Sequence, residues 1–404
     1  MSSLPRSNRN LVLALLCLAS FASVFNNLII APILPDISDD LGVRVSVAGL
    51  LVTAYALVGG TAAIFAGPFI DRIGRKPVVV AGLAVLSVAT VLSALAPTFE
   101  LLVAARMLAG LGVACLSPAV FSAVGDYFSY EERGRAMAWV MAANSSSTIV
   151  GVPIGAFLSG VLSWRMTFVV LAALCVIFTF LLARRLPPDV RRTSADREGL
   201  GAIGAVLRQP QISIALLSNS MSTMYWFIFI PYMGAYYHDE FGLPKWALGI
   251  LTMCQGLGVL AGSFIGGRIS DRFGKRPVII YATLIGSVFI ALETVAAPHL
   301  AFAALYLFVF AAFGSARFAS AQAVMTEMAP ARRGTVMALS AAGQQFGIVL
   351  GSALGGLVLE IWGYSGLGPA AAAIAILSAA IYWVFIDEER MLRASARIEP
   401  SAAN

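Results

Sequence analysis

Twelve apolar stretches, each of about 20 residues, limit what this 404-residue chain can fold into. They run at about 11–34, 46–67, 77–97, 99–122, 136–160, 165–185, 211–236, 246–268, 277–297, 299–322, 335–360 and 365–386. Each is long enough to cross about 30 Å of hydrocarbon. Inside lipid the backbone must satisfy its own hydrogen bonds, so each stretch is predicted to be a helix, numbered 1 to 12 in chain order. The chain is 59% hydrophobic and only 12% charged, where a soluble domain is about a quarter charged. The predicted fold class is therefore an all-α integral membrane protein with twelve transmembrane helices.

The first stretch is too long for a cleaved signal peptide, and no small-residue cleavage site precedes a soluble domain. Met1–Asn10, with Arg6 and Arg9, reads as a cytoplasmic tail. Basic residues set the orientation. Of the 27 lysines and arginines, 22 fall on the side of the N-terminus and three, Arg44, Arg165 and Lys245, on the other. Arg106 and Arg317 lie inside helices. The bias places both termini in the cytoplasm of a multi-pass cell-membrane protein. It also accounts for the net charge of +6. Nucleic-acid binding is not expected, because no loop pairs a basic cluster with stacking aromatics. Cys17, Cys115, Cys175 and Cys254 lie within helices without a CxxC pair and read as packing residues.

The chain repeats itself. "GPFIDRIGRKP" at 67–77 returns as "GRISDRFGKRP" at 267–277, with Asp71, Arg72, Gly74 and Pro77 each displaced by 200 positions. Arg133–Gly134 returns as Arg333–Gly334, and Pro32 of helix 1 has a counterpart in Pro231 of helix 7. Two six-helix bundles of like orientation follow, residues 1–185 and 210–390. The linker at 186–209 is read as flexible or partly helical, and 391–404 as a cytoplasmic tail. Parallel repeats related by an axis along the membrane normal suit a transporter that opens a midplane site to alternate sides.

In the clasp, Gly67 permits close helix approach and Asp71 can meet the positive end of a neighbouring helix. Gly74 allows a tight reversal, Arg75 and Lys76 hold the loop inside, and Pro77 starts helix 3. In this form, G-x-x-x-D-R-x-G-R/K-R/K, both copies resemble the loop motif of the major facilitator superfamily. The resemblance spans nearly the whole chain. It implies a pseudo-symmetric fold and a cytoplasmic latch between the halves, made by Asp71, Arg72, Gly74, Arg75 and Lys76. Asp126, Glu327, Arg133 and Arg135 would be partners, and Asp271, Arg272, Gly274, Lys275 and Arg276 the second copy. "LLVAARMLAGLGVAC" in helix 4, with Arg106 and Gly110, resembles the twelve-helix drug:proton antiporters. Arg106 could instead snorkel to the outer surface. "TIVGVPIGAFLSG" in helix 5 and "SWRMTF" at 163–168 resemble the arabinose-efflux-permease-like and sugar-efflux branch. Gly151, Pro153, Gly155 and Gly160 predict a kinked, close-packed helix. Gly343, Gly347, Gly351, Gly355 and Gly356 give helix 11 a similar seam.

The resemblance implies a cavity lined by helices 1, 4, 7 and 10 and flanked by 2, 5, 8 and 11. Candidate substrate-binding residues there are Asn26, Asn27, Tyr55, Arg106, Asn144, Tyr225, Trp226, Tyr232, Gln255, Arg317 and Gln344, with lipid-facing or packing roles open for each aromatic. Arg317 has no acid nearby on its own helix face, so a backbone partner or an anionic substrate group is implied. Proton coupling needs a carboxylate that titrates inside the membrane. Relatives carry one in helix 1, where this chain has Asn26 and Asn27. Glu293 and Asp36 remain, the latter equally readable as a solvated loop or cap residue. His238 and His299 are expected in solvent at outer loops. The expected activity is secondary transport driven by a proton gradient, with no bound cofactor or metal. A single chain would export a small organic solute, a drug or a sugar, across the bilayer. The alternative is an importer, exchanger or facilitator of an anionic metabolite. A membrane enzyme is not expected, because no nucleophile–base or metal constellation occurs at membrane depth. Direct ATP drive would need a Gly-Lys-Ser/Thr loop that the sequence lacks.

Overall fold

A computed structural model describes residues 6–128, 130–187, 204, 206–328 and 333–386, without the side chains of 6–8, 66–69, 71–72, 130–131, 134, 326–327 and 333–334. The clasp residues Asp71 and Arg72, the partner Glu327 and most of the linker and tail thus lie outside the described side chains.

Twelve helices long and apolar enough to span a membrane occur among the described residues. Helix 1 comprises Arg6–Leu28 and Ile30–Leu41, interrupted at Ile29. Pro32 cannot donate to the carbonyl of Leu28, which accounts for the interruption. Helix 2 is Leu50–Ile73 after a short turn Val45–Ala48, and helix 3 is Arg75–Leu95. Helix 4 is Phe99–Tyr127 and helix 6 is Trp164–Arg185. Between them, helix 5 passes from Tyr130–Ser146 through a π turn, Ser147–Gly151, into Val152–Val161. Pro153 supplies no N–H, and the Val152 N–H reaches back five residues to the Ser147 carbonyl. Helix 7 runs Pro210–Phe229, tightens to a 3₁₀ turn at Ile230–Tyr232 around Pro231, and resumes as Met233–Phe241. Helices 8 to 12 are Leu248–Phe273 after a turn at Lys245–Ala247, then Lys275–Val295, Leu300–Met328, Arg333–Trp362 and Tyr364–Phe385.

The 200-residue repeat extends to backbone geometry. Gly42 and Gly242 end helices 1 and 7 at φ +62° and +63°, and Gly74 and Gly274 turn the clasps at φ +103° and +88°. A side chain would be strained at all four positions. In each unit the end that carries its clasp is named the clasp face, and the end of the first unit that carries Gly42 and Gly242 is named the far face.

The described chain divides into two compact units. The first holds helices 1–6 together with Ile230–Met253, and the second holds helix 7 to Phe229 and the chain from Cys254 onward. In the first unit, helix 4 packs on helices 2 and 3, and helix 3 on helix 6. In the second, helix 7 packs on helices 11 and 12, and helix 9 on helices 10 and 12. Small residues bring the backbones together, as expected where lipid provides no hydrophobic drive for association. A Cβ on Gly82 would lie 2.8 Å from the Gly112 carbonyl, and one on Gly112 the same distance from Gly82. In helix 8, a Cβ on Gly258 would meet Phe308 and one on Gly262 would overlap the Ala312 carbonyl. Gly151 lies against Phe21 and Phe25, Gly155 against Ile29, and Gly347 and Gly351 against Ser220 and Met224. Gly355 is buried. Exposed Phe65, Leu95, Phe264, Trp362 and Trp383 give the bundles an apolar exterior that matches lipid.

Candidate functional site

Among the described residues, two polar groupings interrupt the apolar interior and two more lie at its ends. The first lies in helices 1 to 4. Arg106 of helix 4 is completely buried, so it does not reach the surface. Its Nη1 donates to Asn26 Oδ1 at 2.7 Å. Asn26 Nδ2 donates to Thr90 Oγ1 at 2.8 Å, and Thr90 donates to its own helix at Leu86. The guanidinium stands 4.6 Å from the Tyr55 ring centre, a cation–π distance. Arg106 Nε and Nη2 have no hydrogen-bond partner. A buried cation is thus held by an amide and a ring, both neutral.

The second grouping surrounds Arg317 of helix 10. Its Nε donates to Thr283 Oγ1 at 3.1 Å, and its Nη2 to the Ser218 carbonyl at 2.9 Å and hydroxyl at 3.1 Å. Ser378 closes the ring, its hydroxyl donating to the Ser218 carbonyl at 3.0 Å. These partners sit on helices 7, 9 and 12. Nη1 has no hydrogen-bond partner. The guanidinium points among helices of its own bundle, and every oxygen it meets is neutral. The backbone partner anticipated for Arg317 is the Ser218 carbonyl.

The third grouping is ionic and lies at the far face. Lys245 Nζ, at the start of helix 8, sits 2.9 Å from Asp36 Oδ1 and 2.7 Å from Asp39 Oδ2. Ser159 of helix 5 donates to Asp36 Oδ2. Asp36 therefore lies within helix 1, in an ion pair, and not in a solvated loop or cap. Beside it, Arg165 pairs with Asp40 and stacks 4.2 Å from the Trp164 ring centre. The hydrogen bond from Arg165 holds the exposed Asp40 carboxyl below the usual carboxylate range. His238 makes a 2.8 Å hydrogen bond with the Leu243 carbonyl. It is half-buried beside the helix end. His299 is exposed, as expected.

The fourth grouping is at the clasp face. Arg75 Nε lies 2.9 Å from Asp126 Oδ2, and Arg75 Nη1 donates to the Ile70 carbonyl. Arg133 caps the end of helix 4 through the Gly125 and Phe128 carbonyls. Arg9 pairs with Glu132 at 2.6 Å. Lys76 donates to the Leu186 carbonyl at the end of helix 6, and its counterpart Arg276 to the Trp383 carbonyl at the end of helix 12. Each clasp thus caps the last helix of its own bundle with a cation. Arg135, Asp271 and Arg272 are exposed, and Arg272 lies over the Phe273 ring at 5.3 Å.

The remaining candidates are dispersed. Trp226 stacks on Phe310 at 4.5 Å, and Tyr225 meets the same ring edge-on at 6.1 Å. Gln344 and Asn219 both donate to Ser340. Tyr232 packs over Gly49 in the first unit. Buried oxygens of Asn27 and Asn144 have no hydrogen-bond partner. Gln255 and Glu293 are buried, Glu293 completely, within electrostatic reach of Cys254. Sequence reasoning missed Thr90, Thr283, Ser218, Ser378, Ser159 and Lys245. Only Lys245 carried a signal, as one of three basic residues outside the clasp face and the helices.

Twelve apolar helices, a duplicated charged turn and buried arginines tied within each bundle define a multi-pass membrane transporter. Residues 16–244 and 215–402 match the family profile of the Major Facilitator Superfamily, and the chain belongs to that family. Its members are transporters and not enzymes. The chain is 28% identical over 372 residues to the uncharacterised MFS-type transporter YwfA of Bacillus subtilis (strain 168), covering 91% of this chain and 90% of that one. It is 26% identical over 341 residues to Multidrug resistance protein 2 of the same organism, covering 82% and 85%. A solved D-xylose–proton symporter shares the fold at a TM-score of 0.78 and 17% identity, over 95% of this chain and 99% of that one.

Proposed function

We propose that the protein exports small organic molecules in exchange for protons. It acts as a monomer with the clasp face and both termini in the cytoplasm. Glu293 carries the proposal. It is a carboxylate with no exposed surface, inside a membrane helix of a transporter. An acid in such a place is a functional feature by default, because burying a charge in the bilayer is costly. The excess of basic residues on the clasp face supports the orientation. The likeness to a multidrug resistance protein over most of the chain supports export of drug-like solutes.

A second reading, an importer or exchanger of an anionic metabolite, is favoured by one observation. Arg106 and Arg317 are fully buried and held by neutral groups, with guanidinium nitrogens that lack hydrogen-bond partners. An anionic substrate group would satisfy them.

Purified protein in liposomes with an internal pH dye separates the two. Under a proton gradient, cationic drugs, neutral sugars and organic anions are added in turn. Substrate-dependent proton flux in the wild type that disappears in Glu293→Gln is the expected result. Movement of anions alone, without proton flux and dependent on Arg317, would replace the exporter with an anion carrier.

A further inference from the structure

Ile230–Met253 belongs by sequence to the second half of the chain, yet it packs into the first unit. The manner of packing is unusual. Gly234 sits on the Ala31 carbonyl, Tyr232 fills the space over Gly49, the Trp246 backbone lies on Gly160, and Gly249 lies against the Pro153 carbonyl. Three of these are close approaches to backbone at a glycine, and the fourth, at Gly49, is made by the Tyr232 side chain. Lys245 makes an ionic link across this seam. One ammonium joins two carboxylates of helix 1, and the nearer-buried one, Asp36, is also held by Ser159 of helix 5. The ends of helices 1, 5 and 8 thus meet at a single cation.

We propose that Lys245 is the ionic lock of the far-side gate, and that its bonds to Asp36 and Asp39 break each time that side opens. The chemistry suits a reversible lock. Lys245 retains 28% of its side-chain exposure and Asp39 retains 69%. Both charges can return to water when the seam parts, without the penalty of a stranded buried ion. At Gly234, Gly160 and Gly249 the absence of a side chain lets the backbones part without a clash. The inference rests on the transporter class alone, and is independent of substrate, direction and coupling ion.

The test is a distance. Spin labels are placed at two exposed far-face positions, Glu100→Cys on helix 4 and Glu240→Cys on helix 7, in protein whose four native cysteines are replaced by alanine. Pulsed electron resonance in nanodiscs then reads the ratio of long to short separations. Lys245→Glu turns two attractions into two repulsions and should raise that ratio about tenfold. Lys245→Arg should leave it near the wild-type value. The exchanged pair Asp36→Lys/Lys245→Asp should return most of the shift. Should Lys245→Glu fail to yield monodisperse protein, Lys245→Met is read in the same way, with about half the shift on a logarithmic scale. A ratio unchanged in the folded Glu or Met variant overturns the lock. So does a shift that the exchanged pair does not reverse, because Lys245 would then act by packing and not by charge.

Discussion

Replacing Asn26 with alanine should destabilise the first bundle far more than its size suggests. Asn26 Oδ1 accepts the hydrogen bond of the Arg106 guanidinium, at 2.7 Å, whose Nε and Nη2 have no hydrogen-bond partner. A hydrogen bond to a charged group contributes about 1.5–3 kcal/mol. The Asn26–Thr90 bond adds about 0.5–1.5 kcal/mol. Thr90 itself keeps a partner, because its hydroxyl donates to Leu86. After Asn26→Ala, the buried cation has the Tyr55 ring, and a desolvated cation–π contact is worth about 2 kcal/mol. The net cost should be about 2–4 kcal/mol. Asn26→Asp, which keeps the acceptor and adds a counter-charge, should be neutral or stabilising at pH 7. The double variant Asn26→Ala/Arg106→Met should recover at least half of the loss, because a donor and acceptor removed together leave nothing stranded. The assay is equilibrium unfolding in mixed micelles, titrated with a denaturing detergent and followed by circular dichroism. If Asn26→Ala costs less than about 0.5 kcal/mol, or the double variant is as unstable as the single one, the amide is not what holds the arginine.

The same titration tests two further expectations. Gly262→Ala should abolish monodisperse protein, because the added methyl overlaps the Ala312 carbonyl; Gly286→Ala, whose nearest neighbour would be 3.9 Å away, should instead gain about 0.5–1 kcal/mol in helix propensity. Lys76→Met and Arg276→Met should each cost about 0.3–1 kcal/mol, and by similar amounts, because each removes a cation from the carbonyl end of the last helix of a bundle.

The frame of the protein was readable from sequence because lipid makes it so. Every apolar stretch became a helix, and the larger differences at the clasp-face ends follow one pattern. Helix 2 was expected to end at 67 and runs to Ile73, helix 4 at 122 and runs to Tyr127, helix 10 at 322 and runs to Met328. Hydropathy stops where charged residues begin, whereas the helical backbone continues to a residue that ends it, such as Gly74. Helices 1 and 7 likewise continue through "SDDL" and "HDEF" to Gly42 and Gly242. The polar interior was far less readable. Arg106 and Arg317 stood out, because a charge in an apolar stretch is conspicuous. Their partners did not, because Thr90, Ser218, Thr283 and Ser378 are small residues in helices where a hydroxyl ordinarily bonds its own turn. The pairing of Lys245 with Asp36 and Asp39 spans more than 200 residues and has no local signature.

The two halves keep the same frame and differ in what they bury. The clasps, the terminal glycines and the proline breaks of helices 1 and 7 recur at nearly constant spacing, whereas the arginines do not. Arg106 lies seven residues into helix 4 and Arg317 seventeen into helix 10. Ten residues of helix amount to about 15 Å, so the two cations lie at different points along corresponding helices. Each is nevertheless tied only to helices of its own bundle, Arg106 to helices 1 and 2, and Arg317 to helices 7, 9 and 12. Motion of one bundle as a body leaves such ties intact. On the proposal above, a contact that the cycle breaks on the far face is the Lys245 bridge. An arginine that ties a bundle together and a lysine that releases it call for opposite surroundings: full burial among neutral oxygens for the first, and partial exposure beside carboxylates for the second. Both surroundings are present, and each is occupied by the residue that suits it.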